Sequence, residues 1–290
     1  MSNDQPLRAA LWMIGAIVSF TAMAIAGREL AGVHDTFEIM TYRSLIGIVI
    51  VVSVAGWAGT LGQITPRRLG LHALRNSFHF IGQNLWFFAI TAAPLAQVFA
   101  LEFTTPIWAA LMAPFFLGER LTRMRAFAAV MGFIGVAIVA QPGAGATFGP
   151  GLIAAAIAAI CFALTAIFTR MLTRTESITC ILFFLTTLQA LFGLITAGYD
   201  GDIALPTAAS WPWLVLVGIA GLLAHFCITK ALSMAPAAVV MPIDFGRLPI
   251  IAMVGMLLYS EPLEWAVLIG GVIIFTANFL NLRSETRRHR

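Results

Sequence analysis

The sequence predicts an all-α membrane protein, ten transmembrane helices arranged as two inverted five-helix repeats. Three observations carry this. Of 290 residues, 60% are hydrophobic and 10% charged, whereas a soluble domain needs roughly a quarter charged residues to cover its surface. Apolar runs recur along the whole chain, most of them near the ~20 residues a helix needs to cross the hydrocarbon of a bilayer. The chain also matches itself when displaced by 142 residues.

The runs fall at 9–27, 38–58, 72–93, 95–117, 124–140, 150–171, 177–198, 212–233, 236–259 and 264–282. Short connections with turn chemistry separate them, such as Gln141-Pro142-Gly143 and the stretch from Gly201 to Pro206. The first run contains "TAMA", which resembles a leader cleavage site. It is too long for the apolar segment of a leader and matches a later run, so it is expected to be a span. Orientation follows from the arginines. With the N-terminus cytoplasmic, 14 of the 17 basic residues fall on the cytoplasmic side, and Arg28, Arg43 and Arg247 are the exceptions. Trp12, Trp57, Tyr199, Trp211, Trp213, Tyr259 and Trp265 fall at span ends, as an interfacial belt should. Tyr42, Trp86 and Trp108 do not.

The displacement of 142 residues places Ala89, Ala93, Pro94, Ala96, Val98, Phe103, Ala110, Glu119 and Leu121 on identical residues, and Glu102 on Asp244. The same register puts Phe20, Ala24, Ile25, Arg28 and Leu30 on Phe162, Ala166, Ile167, Arg170 and Leu172. One register serving separate windows indicates duplication, with repeats over 1–142 and 150–290. Five spans per repeat is an odd number, so the second repeat enters the membrane upside down. Inverted repeats are characteristic of transporters that alternate access around a site near the midplane.

Other classes find little support. There is no phosphate loop, HExxH, nucleophile elbow or triad pattern, and the histidines are scattered, so no enzyme is expected. Cys161, Cys180 and Cys227 lie in apolar runs without metal-ligand spacing and read as buried small hydrophobes. No metal, cofactor or nucleic-acid partner is expected. The partners are a small-molecule substrate and lipid, with monomer and dimer both open.

The chemistry should sit where an apolar span carries polar residues. Pro106 in span four, with Pro242 and Pro249 in span nine, removes backbone donors. That is tolerated where protein or a wet cavity takes over the freed carbonyls, although a plain structural kink is the alternative. Asp244 and Arg247 share a helix face, either as a locked pair or as a couple that opens to hold a substrate's charges. Glu102 is their pseudosymmetric acid, a candidate for proton coupling or for packing. Span three bears His72, Arg75, His79, Gln83 and Trp86 on one stripe. His79 and Gln83 are expected to face a cavity, and His72 and Arg75 the cytoplasmic interface. Trp86 and Trp108 offer rings for stacking or for core packing. Tyr42 and Arg43 are candidate gating residues with Pro106 and Pro249; Arg43 is alternatively expected to snorkel or to neutralise Glu38. His225 is equally open. Gly132, Gly135, Gly270 and Gly271 are expected to permit close helix packing.

Ten spans, a five-plus-five duplication and the stretches "LEFTTPIWAALMAPFFLGERLT" and "DFGRLPIIAMVGMLLYSE" resemble the EamA-type branch of the drug/metabolite transporter superfamily. The resemblance covers nearly the whole chain. It implies a bacterial inner-membrane transporter with both termini cytoplasmic, similar to exporters of amino acids, including aromatic ones. The expected substrate is a small zwitterion with an apolar side chain, moved outwards by alternating access or by facilitated diffusion. The alternative is uptake of a cationic nucleoside-like metabolite, with Glu102 and Asp244 as counter-charges.

Overall fold

The computed structural model describes residues 6–118, 122–140, 149–234, 243–262 and 264–288. All regular structure among them is helical: α1 Pro6–Glu29, α2 Thr36–Trp57, α3 Leu69–Ala92, α4 Leu95–Glu102, α5 Thr105–Leu117, α6 Arg123–Ala140, α7 Pro150–Leu172, α8 Ile178–Thr196, α9 Trp211–Met234, α10 Arg247–Tyr259 and α11 Trp265–Arg288, with two 3-10 turns before α3. The helices follow the predicted spans closely. α4 and α5 share the fourth, and α10 forms the end of the ninth. The beginning of the ninth, with Pro242, lies outside the described residues. Among the described residues, six stretches are long and apolar enough to cross a membrane, with shorter apolar helices over Ala126–Val139, Arg247–Tyr259 and Trp265–Asn281. Side chains such as Trp57, Phe115, Leu257 and Trp265 project outward as a lipid-facing surface.

Helix ends obey local chemistry. Asp35 caps α2 in a reciprocal box with Glu38. Ser177 caps α8, and Pro150 opens α7 at a position where no backbone donor is needed. Gly118 ends α5 in the left-handed region at φ +67, and its repeat mate Ser260 ends α10 there at φ 54. A serine in that region is unfavourable by ~1–2 kcal/mol, so tertiary contacts hold it.

Packing follows the duplication. The main interfaces are α1 with α9, α3 with α7, α2 with α8, and α6 with α11. Exchanging the repeats turns the first pair into the second and returns the last two to themselves. Each of the four joins one repeat to the other, so neither repeat buries its apolar faces alone. At α6–α11 the close approach depends on glycine: a Cβ on Gly270 would lie 2.6 Å from the Gly135 carbonyl oxygen.

Candidate functional site

Span four is strongly apolar yet holds an acid, threonines and prolines, and the fold accounts for them. The helix breaks at Phe103-Thr104, and its repeat mate breaks at Phe245-Gly246. Pro106 has no N–H to give the Glu102 carbonyl. The Thr105 hydroxyl donates to that carbonyl instead at 2.6 Å, and the Thr104 hydroxyl donates to Leu101 O at 2.6 Å. The Phe103 carbonyl accepts from Asn278 Nδ2 of α11 at 2.8 Å. Freed backbone groups at membrane depth are thus answered by side chains. The two break residues touch, Phe103 and Phe245 having ring centroids 4.8 Å apart, so the breaks meet at the pseudo-two-fold axis.

Beside the breaks the repeat-mate acids converge on one arginine. Arg247, 3% exposed, donates from Nη2 to Glu102 Oε1 at 3.0 Å and to Asp244 Oδ2 at 3.1 Å. Trp86 Nε1 donates to the other Glu102 oxygen at 2.8 Å. The guanidinium lies 4.6, 5.0 and 5.2 Å from the ring centroids of Phe20, Phe99 and Phe103, a cation–π cage. Arg247 Nε and Nη1 and Asp244 Oδ1 are buried without a partner. Two carboxylates against one guanidinium leave a formal charge of −1, and spare donors and a spare acceptor remain. Such a cluster can accept a ligand that carries both a hydrogen-bonding head and a positive charge. The α10 position matching Thr105 of the first repeat is Arg247, so the charge asymmetry is a departure from the duplication.

The remaining candidates divide. His79 is buried with both ring nitrogens unpartnered, 6.3 Å from the His225 ring. His225 lies edge-on to Phe20 at 5.8 Å, so α3, α9, α1 and the Arg247 cage are linked by rings. Gln83 is buried one turn beyond His79. Trp86 is enclosed by Phe87 and Phe99, and its ring faces serve packing while its N–H serves Glu102. The structure seats Trp108 edge-on against Phe133 of α6 at 5.1 Å. Pro106 lies in the first turn of α5 and Pro249 in that of α10, immediately after the two breaks.

One expectation is corrected and one refined. His72 and Arg75, at the end of α3 assigned to the cytoplasm, are packed inside the bundle, because α7 and α8 cross α3 there. His72 lies on Phe184, and Arg75 donates to Thr169 Oγ1 and Asn76 Oδ1 at 3.1 and 2.8 Å. Arg43 does not neutralise Glu38. That carboxylate is committed to His34 and to the backbone N–H groups of Asp35 and Ala204, while Arg43 turns inward to a cavity between α2, α8 and α9. Tyr42 donates to the Ala204 carbonyl at 2.9 Å, tying α2 to the segment before α9.

Two groupings escape sequence reasoning. At the end of the bundle assigned to the outside, Arg28 pairs with Glu261, whose other oxygen accepts from Leu95 N at 2.9 Å, the N-terminus of α4. Arg28 also lies 4.4 Å from the Tyr259 ring centroid, and Tyr259 donates to Glu29 at 2.9 Å. This network ties α1 and α4 of one repeat to the end of α10 and the residues after it in the other. The repeat register aligned Arg28 and Glu261 with counterparts and offered no hint that they meet. At the opposite end, His72, Glu176 and Cys180 gather with their ligand-capable atoms within 4.8 Å. The single Cys180 thiol proton can go to Glu176 Oε2 or to the Thr65 carbonyl, each 3.5 Å from Sγ, and His72 Nε2 lies 3.9 Å from Sγ.

Inverted packing, broken helices meeting at an axis and a charged cluster beside the breaks define a membrane transporter rather than an enzyme. The chain belongs to the EamA-like transporter family, whose model matches residues 7–141 and again 149–283. It is 26% identical to an S-adenosylmethionine uptake transporter of Rickettsia bellii over 95% of this chain and 94% of that one. It is 30% identical to a riboflavin transporter of Rhizobium johnstonii (99% and 95%) and 22% identical to a pseudopaline exporter of Pseudomonas aeruginosa (90% and 91%). A solved crystal structure of a protein 19% identical shares the fold with TM-score 0.67, covering 97% of this chain and 99% of that chain.

Proposed function

We propose that this protein is an alternating-access carrier of the bacterial inner membrane, with both termini cytoplasmic. Its cargo is a small metabolite that combines charge of both signs, net cationic, with a nucleoside-like ring; S-adenosylmethionine is the leading candidate. The observation that carries this reading is the Glu102–Arg247–Asp244 cluster. Two acids and one guanidinium leave a formal −1 in a cage of Phe20, Phe99 and Phe103, which suits a cargo with a surplus positive charge and a flat ring. Relatives named as S-adenosylmethionine uptake transporters support it from a separate direction. In this reading His79, Gln83 and Trp86 border the path, Tyr42, Arg43, Pro106 and Pro249 belong to the moving walls, and Trp108 braces α5 on α6. The repeats 1–142 and 150–290 are the units that exchange conformation.

Export of amino acids is the second reading. The presence of both charge signs at the cluster favours it, since a free zwitterion needs both. The test is counterflow in liposomes holding the purified protein. Unlabelled S-adenosylmethionine inside should drive accumulation of labelled S-adenosylmethionine, and phenylalanine should not replace it. Accumulation with phenylalanine, methionine or threonine and none with S-adenosylmethionine transfers the assignment to the second reading.

A further inference from the structure

We infer that the cavity between α2, α8 and α9 is the seat of the cargo's carboxylate, with Arg43 and Gln189 reading an α-amino-acid head. The inference rests on the carrier reading above and adds which end of the cargo sits where. The cavity is partly open: its empty space, about 340 Å³ with open solvent included, leaves about 20 Å³ for water-sized occupants, and Arg43, Ser44, Thr186, Gln189 and His225 contribute its polar lining. It is separate from the Glu102–Arg247–Asp244 cluster.

Arg43 is the anomaly that needs explaining. Its guanidinium meets the Met40 sulfur at 3.7 Å, a weak acceptor, and no carboxylate among the described residues pairs with it. Glu38, one turn away on α2, is already committed to His34 and two backbone N–H groups. Arg75 on α3 is likewise bonded to neutral oxygens alone, Thr169 Oγ1 and Asn76 Oδ1. A guanidinium without a counter-charge at membrane depth is costly, and an arriving anion removes that cost. Carboxylate is the fitting anion for a single guanidinium, because its two oxygens match the planar fork.

Gln189 supplies the independent observation. It is 2% exposed, its Nε2 donates to the Asn76 carbonyl at 3.1 Å, and its Oε1 has no partner. An orphan acceptor and a guanidinium lining the same cavity match an ammonium next to a carboxylate, the α-amino-acid pattern. Room is made by Gly221 of α9, where an added Cβ would stand 3.1 Å from Arg43 Nη2.

The same chemistry fixes the cargo's direction. Phe20 lies under Arg247 on one side and edge-on to His225, a cavity-lining residue, on the other. One phenyl ring therefore separates a basic seat from an acidic one. A cargo with its amino-acid head on Arg43 and Gln189 directs its remaining cation and ring towards Glu102 and Asp244.

The experiment uses matched pairs that differ in the carboxylate: S-adenosylmethionine with its decarboxylated analogue, and phenylalanine with phenethylamine. Calorimetric affinities are measured on the purified full chain as wild type, Arg43→Gln and Arg43→Lys. In at least one pair the acid should bind the wild type about 10- to 100-fold more tightly than its decarboxylated partner, the weight of a charge-assisted contact. Arg43→Gln should abolish that preference by weakening the acid and not its decarboxylated partner, and Arg43→Lys should keep part of it. If Arg43→Gln does not fold, the wild-type preference decides, together with a parallel loss for acid and amine in Gln189→Leu, which removes the acceptor that both ammonium groups share. Equal affinity for acid and amine in both pairs overturns the inference. So does an equal loss for both compounds in Arg43→Gln, or absence of binding by all four. An Arg43-dependent preference in the phenylalanine pair without S-adenosylmethionine binding overturns the cargo reading and leaves the carboxylate seat standing.

Discussion

Replacing Arg247 by methionine isolates the charge of the central cluster. The unbranched chain of methionine can still lie against Phe20, Phe99 and Phe103, so the main loss is the guanidinium that faces Glu102 at 3.0 Å and Asp244 at 3.1 Å. Removing one partner from a buried ion pair costs about 3–5 kcal/mol, because the remaining charge is left uncompensated. The carboxylate side chains keep 17% and 13% exposure, and water reaching them favours the lower end, about 3 kcal/mol. For a large domain that corresponds to a fall of about 6 °C or more in Tm. Unfolding of the purified protein in detergent, followed by tryptophan fluorescence, gives the number. Adding Glu102→Gln and Asp244→Asn to Arg247→Met should recover most of the loss, since no charge then remains to be compensated, while counterflow stays abolished. The reasoning is refuted if Arg247→Met lowers Tm by less than about 2 °C, or if the neutralising changes lower it further in an additive way.

Trp86→Phe keeps the ring between Phe87 and Phe99 but removes the N–H that holds Glu102, so cargo affinity should fall about tenfold by calorimetry with Tm little changed. Asn278→Leu leaves the Phe103 carbonyl buried without its donor and should cost about 1–3 kcal/mol in thermal unfolding. Glu261→Gln removes the ion pair to Arg28 and the anion at the start of α4, so that end should open more often. A cysteine at Ala96 should then react faster with a water-soluble maleimide, against a low background because Cys161, Cys180 and Cys227 are buried. Reporter fusions after Gly62, Gly143 and Asp202 should read inside, outside and outside, and a cytoplasmic Gly143 fusion would contradict the inverted arrangement.

The sequence alone determined the class, the spans and the duplication, because these depend on local quantities. Twenty apolar residues must cross a bilayer wherever they pack, and a register of 142 residues is visible without coordinates. It also marked Glu102, Asp244 and Arg247, since a charge in a span is conspicuous by composition. What it left open were relations between distant segments. That Glu102 and Asp244 share Arg247, that Phe20 and Phe99 cage it, and that Asn278 answers the Phe103 carbonyl depend on how α1, α4, α10 and α11 meet. Arg43 shows the same limit in reverse: four residues of helix join it to Glu38, and the expected pair does not form because Glu38 is spent on the α2 cap and on Ala204. Spacing along a chain says which groups can reach one another. Tertiary packing decides which partners are already taken, because a buried polar group bonds to whatever the fold brings beside it.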